Sequence, residues 1–135
     1  EALNTRGRKQ FMKQRLHHRR AQYIQAMIAT KAHRLGMRIS RVCAAGTSKY
    51  AFDGSGEVTR GINGNYSLCK FQTGKIYNCD LSASYNIGAR YFVREIYKSL
   101  PETAKSRIAA KVPECAKRTT CTLATLINLV AGLAA

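Results

Sequence analysis

The amino-acid sequence predicts an α/β chain in which a long basic helix leads into a glycine-rich segment of short strands, with further helices after it. Three observations predict this order: apolar residues at three- and four-residue steps over residues 10–35, repeated glycines over residues 44–79, and helical spacing again from Asp80 onward. The chain has 135 residues, of which 45% are hydrophobic, and this suits a packed core better than disorder. The sequence contains no internal repeat or low-complexity linker, so a single domain is predicted.

The first predicted helix covers residues 10–35 and buries one apolar stripe, because its apolar residues recur on one face. The stripe consists of Leu16, Tyr23, Ile24, Met27, Ile28, Ala32 and Leu35. Gly36 is a natural C-terminal stop for this helix. A strand is expected over residues 37–43, where the β-branched Ile39 and Val42 give a partial alternation.

Residues 44–79 predict short strands and turns rather than helix, because six glycines interrupt the segment. Strand character is concentrated in residues 50–53, 66–71 and 75–79. The Asn63-Gly64 step predicts a hairpin turn.

A second helix is expected to begin at Asp80 and to stop at Pro101. Its predicted apolar face comprises Leu81, Tyr85, Ile87, Ala89, Phe92, Val93, Ile96 and Leu100. Beyond Pro101 the sequence predicts a short helix near residues 102–111, a break at Pro113, and an alanine- and leucine-rich helix near residues 120–135.

The charge balance favours a polyanionic partner, most simply nucleic acid. The chain carries 23 Lys and Arg against 7 Asp and Glu, a formal net charge of +16. Eleven of these cations lie in residues 1–42, where Glu1 is the single acid, and on the first helix they are expected to lie mostly off the apolar stripe. A solvated polar face is the alternative interpretation. The candidate nucleic-acid contacts are Arg15, Arg19, Arg20, Lys31, Arg34, Lys49 and Arg90.

The sequence does not predict a membrane protein or a disulfide-stabilised one. Its longest apolar run, residues 123–135, is too short to cross a bilayer, and no secretory signal opens the chain. The five cysteines are an odd number and have no CxxC spacing, so they are expected to be reduced thiols in a cytoplasmic protein.

Two features of the sequence leave alternatives open. Asp80 stands at a loop-to-helix boundary, where it suits either an N-cap or a metal ligand. The aromatic residues of the glycine-rich segment suit either stacking on unpaired bases or a small local core. They are Tyr50, Phe52, Tyr66 and Phe71.

Residues 78–89 resemble the third RuvC motif of TnpB/OrfB-type insertion-sequence proteins, which are transposon-associated and related to type V CRISPR effector nucleases. Asp80 matches the catalytic Asp of that motif, Ala83 its first alanine, and Asn86-Ile87 its Asn-Ile pair. Ser82 and Ser84 replace the usual Asn and Ala.

Two further segments are similar to that family and occur in its order. Residues 1–4, Glu-Ala-Leu-Asn, are similar to the second RuvC motif, a strand that ends in Glu-x-Leu. Residues 46–48, Gly-Thr-Ser, resemble the start of the family's zinc-ribbon insertion.

The resemblance implies a partial RNase H-like (RuvC) fold over residues 1–100, with a degenerate zinc-ribbon-like insertion at 44–79 and a helical extension at 101–135. It implies that Glu1 and Asp80 are catalytic residues and ligands of Mg²⁺ or Mn²⁺. Residues 47–79 contain Cys69 and Cys79 instead of two CxxC pairs, so no zinc is expected.

The expected function is therefore that of the nucleic-acid-binding C-terminal portion of an RNA-guided, Mg²⁺-dependent DNA endonuclease. DNA and a guide RNA are its expected partners. The family's first catalytic Asp would precede Glu1, so cleavage by this chain alone is not expected. One alternative is a non-catalytic basic DNA- or RNA-binding module, and another is a structural protein of a ribonucleoprotein. A homodimer through an exposed sheet edge or the C-terminal helix is a further expectation.

Overall fold

The computed structural model describes the backbone of residues 2–134 and the side chains of residues 11–134. It divides the chain into two compact units, residues 1–40 and residues 41–135. The first of these units is mostly a single helix, so the prediction of a single domain stays a prediction. The division falls within residues 37–44, which have no regular secondary structure, so no helix or strand runs from one unit into the other.

Helix α1, Ala2–Arg34, makes up most of the first unit. It begins eight residues before the predicted start, and the strand expected to end in Glu-x-Leu is wrong because Ala2, Leu3 and Asn4 are helical. A helix satisfies its backbone hydrogen bonds internally, whereas a strand needs a pairing neighbour, and among residues 2–134 none pairs with this segment. Glu1 itself lies outside the described residues.

The apolar stripe predicted for α1 is not buried. Leu16 is 55% exposed and Ile24 56%, and Ala32 is the single buried residue among the α1 side chains that the structure describes. Arg20 lies one turn from both Leu16 and Ile24, so cations interrupt the stripe instead of lying off it. The face of α1 is consequently mixed, with apolar and cationic side chains side by side in solvent.

The second unit contains a three-stranded antiparallel sheet in the order β1-β2-β3, formed by Thr59–Ile62, Asn65–Lys70 and Ile76–Asn78. The predicted hairpin turn is confirmed, since Ile62 pairs with Asn65 across a two-residue loop. Both loop residues have positive φ, 52° at Asn63 and 77° at Gly64, as a type I′ turn requires. Residues 50–53, which were expected to have strand character, contribute only an isolated bridge from Tyr50 to Glu57.

Three α-helices follow the sheet. They are α2 at Cys79–Ser99, α3 at Glu102–Lys111 and α4 at Leu123–Ala134, with a short 3₁₀ turn at Pro113–Ala116 between the last two. The chain is thus mixed α/β, and the helices after Pro101 lie close to their predicted positions.

The helices after residue 100 share a core with α2. Val93 of α2, Ile108 of α3, Leu129 of α4 and Cys121 are all buried in one cluster. Residues 101–134 thus complete the core that α2 begins, and the helical extension predicted at 101–135 packs on α2. The outer side of α4 exposes Ile127 and Val130, and a homodimer through this helix stays a prediction.

The buried face of α2 differs from the predicted apolar one. Ser82, Asn86 and Arg90 are buried together with Ala89 and Val93. Leu81, Tyr85, Ile87 and Phe92 are exposed instead. Burying the polar face is possible because backbone groups of the neighbouring loops pair with Asn86 and Arg90.

Ser82 is the exception on this buried face. Its side chain is 2% exposed, and its hydroxyl has no hydrogen-bond partner among the described residues. Because a buried unpaired hydroxyl is unfavourable, we expect Ser82→Ala to leave the free energy of unfolding unchanged or to raise it by up to about 1 kcal/mol. Urea unfolding tests this, with the exposed Ser84→Ala as the matched control. A loss above about 1 kcal/mol in Ser82→Ala alone would show that the hydroxyl has a favourable partner.

Candidate nucleic-acid interface

The described part of α1 carries cations in two groups, at residues 13–20 and at residues 31–34, separated by residues 21–30, which contain no Lys, Arg or His. Residues 11–34 contain six Lys and Arg, three His and no acidic residue. All six cationic side chains are exposed, and none forms a salt bridge with a described residue. This α1 cationic surface consists of Lys13, Arg15, Arg19, Arg20, Lys31 and Arg34.

The geometry of this surface suits a long anionic partner. At about 1.5 Å rise per residue, the distance from Arg15 to Arg34 along the axis is about 28 Å. One of the cations has a local partner: the Arg15 guanidinium lies 5.7 Å from the ring centroid of Phe11. Phosphate contacts from such a surface supply affinity without reading base sequence.

Lys49 is exposed but already paired. Its Nζ lies 2.8 Å from Oε1 of Glu57, and the hydrogen bond that Nζ donates to this carboxylate raises the pKa of Lys49. Both side chains are more than half exposed, so the pair contributes little to the stability of the fold. A phosphate at Lys49 would therefore compete with a weak ion pair, and the predicted contact stays a prediction.

Arg90 is a structural residue, so its prediction as a nucleic-acid contact is wrong. The side chain is buried, and burial lowers the pKa of its guanidinium. The guanidinium donates to four backbone carbonyls: from Nε to Cys121 at 3.0 Å, from Nη1 to Cys43 and Ala45 at 2.7 Å each, and from Nη2 to Thr119 at 2.5 Å. These bonds engage four of the five N–H donors of a guanidinium that is buried, so the group is not placed to contact phosphate.

These bonds also explain why the strand predicted over residues 37–43 is wrong. Residues 37–44 have no strand partner among the described residues. Two carbonyls of this segment accept hydrogen bonds from guanidinium groups of α2 instead of from a neighbouring strand. Arg90 donates to the carbonyl of Cys43, and Arg94 donates to the carbonyl of Arg41, each at 2.7 Å.

Asn86 is the second residue that holds these loops, and the sequence indicated it only as part of a motif. Its Nδ2 donates to the carbonyls of Thr47 at 2.9 Å and Tyr50 at 2.8 Å, while its Oδ1 accepts from the amide of Leu123 at 3.2 Å. Asn86 and Arg90 lie one turn apart on α2, so together they fix the loops before β1 and before α4.

One glycine is required at this junction. Gly46 has φ +76°, and a Cβ there would lie 2.8 Å from the carbonyl oxygen of Thr119, which also accepts from Arg90. The close approach of the two loops therefore depends on the missing side chain.

Asp80 neither caps α2 nor belongs to a group of metal-ligating residues. The N-cap is Asn78, whose Oδ1 accepts from the amides of Asp80 and Leu81 at 3.0 Å each. The N-cap interpretation of Asp80 is thus wrong, and its carboxylate is exposed in the first turn. The described residues contain no group of three His, Cys, Asp or Glu side chains placed to hold a metal ion. Asp80 by itself is a single carboxylate and does not make a Mg²⁺ centre within the described residues.

The cysteines of residues 44–79 are buried thiols with backbone partners. Cys69 donates to the carbonyl of Tyr77 at 3.4 Å, and Cys79 to that of Tyr66 at 3.6 Å. Burial, with a further contribution from Cys79, raises the pKa of Cys69 to about 11. Both thiols belong to the buried local core of this segment. All five cysteines of the chain are free of disulfide bonds.

The aromatic residues divide between the two interpretations that the sequence left open. Phe52 packs edge-on against Phe71 with ring centroids 5.3 Å apart, and Phe71 is 2% exposed, so this pair belongs to a local core. Tyr66 is 77% exposed and stays a candidate for base stacking. Tyr50 is half-buried beside Lys49.

None of the described helices combines the length and apolar character needed to span a membrane. Comparisons of the chain with models of protein families, with curated proteins and with solved structures find no match.

Proposed function

We propose that the chain binds nucleic acid through the phosphate backbone, with the α1 cationic surface as its main contact. The observation that carries this proposal is the set of six exposed cations on α1 without a single carboxylate among residues 11–34. A protein at net charge +16 repels itself, and a polyanion relieves that repulsion.

The kind of binding follows from the side chains available. Long flexible lysine and arginine side chains neutralise phosphates and release counterions, which makes affinity strongly dependent on salt. Leu16 and Ile24 lie beside the cations on α1 and offer apolar contacts to sugars. The described part of α1 has no acidic side chain, so it lacks the side-chain type that accepts from the cytosine amino group in base readout.

The direct test is fluorescence anisotropy of the full chain with two labelled DNA duplexes and two single strands of unrelated sequence. We expect binding to all four, with dissociation constants that differ by less than about tenfold, since phosphate contacts carry no sequence information. Failure to bind any of them at about 0.1 M salt would contradict the proposal. A preference of about 10³-fold or more for one sequence would contradict the backbone mode.

A second candidate is the nuclease portion that the TnpB resemblance implies, in which Asp80 holds Mg²⁺ within a larger protein. The placement of Asp80 favours it: the exposed carboxylate stands two residues after the end of β3, in the first turn of α2. NMR of the full chain with Mn²⁺ is the test. This second candidate predicts line broadening centred on Asp80 that Asp80→Asn abolishes, with Asp53→Asn as the control carboxylate. Absence of broadening at Asp80 would leave the binding module as the account of this chain.

A further inference from the structure

A second group of cations surrounds a cavity of about 550 Å³ within residues 41–135. The charged side chains of its lining are all basic, and they come from α2, from residue 41 and from the loop after the 3₁₀ turn. They are Arg41, Arg90, Arg94, Lys98, Lys117 and Arg118. Tyr97 and three cysteines complete the polar lining. The cavity is therefore strongly electropositive and belongs to residues other than those of α1.

The six cations differ in their partners. Arg90 is engaged by four carbonyls, and Arg94 pairs with Glu95 at 3.2 Å and with the carbonyl of Arg41. The remaining four form no salt bridge with a described residue and are exposed at the cavity rim; they are Arg41, Lys98, Lys117 and Arg118. Four cations around one cavity repel one another, and a bound anion removes that cost.

The thiols of Cys115 and Cys121 do not supply this anion. Burial, assisted by Cys121 and Glu114, raises the pKa of Cys115 to about 11. Burial also raises the pKa of Cys121. Both thiols are therefore neutral at physiological pH, and the lining keeps its positive charge.

We infer that this cavity is a phosphate-binding site that holds a phosphate group of the bound nucleic acid. The inference rests on the proposed function for its ligand, but the site itself rests on separate residues. A volume of about 550 Å³ falls in the range of small-ligand sites and accommodates a phosphate with its attached nucleoside. Tyr97 offers an aromatic side chain to that nucleoside, and the guanidinium groups of Arg41 and Arg118 suit bidentate phosphate contacts.

Cys43 provides a native reporter, because it lines the cavity and its side chain is exposed. The experiment follows the rate at which N-ethylmaleimide modifies Cys43 in the full chain, with the modified peptide identified by mass spectrometry. We expect millimolar pyrophosphate to slow this rate at least threefold, and chloride at equal ionic strength to leave it unchanged. An unchanged rate with pyrophosphate would overturn the phosphate site.

Substitutions test which cations of the cavity bind the phosphate. In the double variant Lys98→Gln/Arg118→Gln, the factor by which pyrophosphate slows the modification of Cys43 should be at least threefold smaller than in the natural sequence. The matched control, Lys70→Gln/Lys111→Gln, removes the same charge from exposed positions outside the cavity and should keep full protection. Equal loss in both variants would overturn the inference, because general electrostatics would then explain the protection.

Oligonucleotides identify the source of the phosphate and separate this inference from the proposed function. Protection by a 5′-phosphorylated single strand but not by its 5′-hydroxyl form indicates a terminal phosphate, and equal protection indicates the backbone; either result supports the inference. If oligonucleotides bind the chain but leave Cys43 unprotected, the cavity inference fails and the proposed function stands. If pyrophosphate protects but no oligonucleotide binds, the nucleic-acid assignment of the cavity and the proposed function both fail.

Discussion

Replacing Arg90 with methionine is expected to cost the unit of residues 41–135 at least about 3 kcal/mol of its free energy of unfolding. The change removes all four hydrogen bonds of the guanidinium at once and leaves the carbonyls of Cys43, Ala45, Thr119 and Cys121 without this partner. Each buried acceptor left unpaired costs about 1–3 kcal/mol, and rehydration recovers part of the total. Small domains have a total stability of about 5–15 kcal/mol, so the variant is expected to be close to unfolding.

The reporter for this prediction is Cys121, which is 3% exposed and lies in the core shared by α2, α3 and α4. Its thiol becomes reactive when the unit opens, so labelling as a function of urea gives the stability of residues 41–135 without a signal from α1. Arg90→Lys should also destabilise the unit, because one ammonium cannot reproduce the planar arrangement of donors. Arg107→Met, at an exposed position of α3, is the matched control and should change the free energy by less than about 0.5 kcal/mol. Wild-type stability in Arg90→Met would contradict the structural role of Arg90.

The second large effect is expected from the α1 cationic surface. A variant with Arg15, Arg19, Arg20 and Arg34 all changed to Gln should bind duplex DNA roughly 50-fold or more weakly at about 0.1 M salt, even if only two of the four contact phosphates. Glutamine is a good helix former, so the helix itself should persist, and circular dichroism checks this.

The control for the fourfold α1 variant removes the same number of charges from residues outside α1. Lys70, Lys75, Arg107 and Lys111 are exposed in the unit of residues 41–135, and their joint change to Gln lowers the net charge by the same amount. The control should lose much less affinity than the α1 variant. Equal losses would show that net charge alone, rather than the α1 surface, determines binding.

The sequence predicted best what depends on local signals. The Asn63-Gly64 turn, the helix at Glu102–Lys111 and the end of α2 before Pro101 all follow from residues whose backbone preferences are strong. The start of α1 could not be predicted, because apolar periodicity begins only near residue 10 although the helix begins at Ala2.

The buried face of α2 shows a different limit of prediction from sequence. Leu81, Tyr85 and Phe92 satisfy the helical period as well as the buried set does, so hydropathy favours the exposed face. Asn86 and Arg90 are buried because carbonyls distant in sequence need donors, and a one-dimensional pattern does not contain those carbonyls. The same long-range bonds remove Arg90 from the predicted nucleic-acid contacts. Exposure of the α1 cations, in contrast, was predictable, because charged side chains are rarely buried without partners.

The salt dependence of DNA binding tests the central claim most directly. Anisotropy titrations of the full chain and of the fourfold α1 variant, from about 50 to 300 mM salt, give the slope of log K against log salt. Backbone binding through α1 predicts a wild-type slope of about −3 or steeper, and a slope shallower by about 0.9 for each α1 cation that contacts a phosphate of the duplex. A wild-type slope near zero, or an identical slope in the two proteins, would contradict the account.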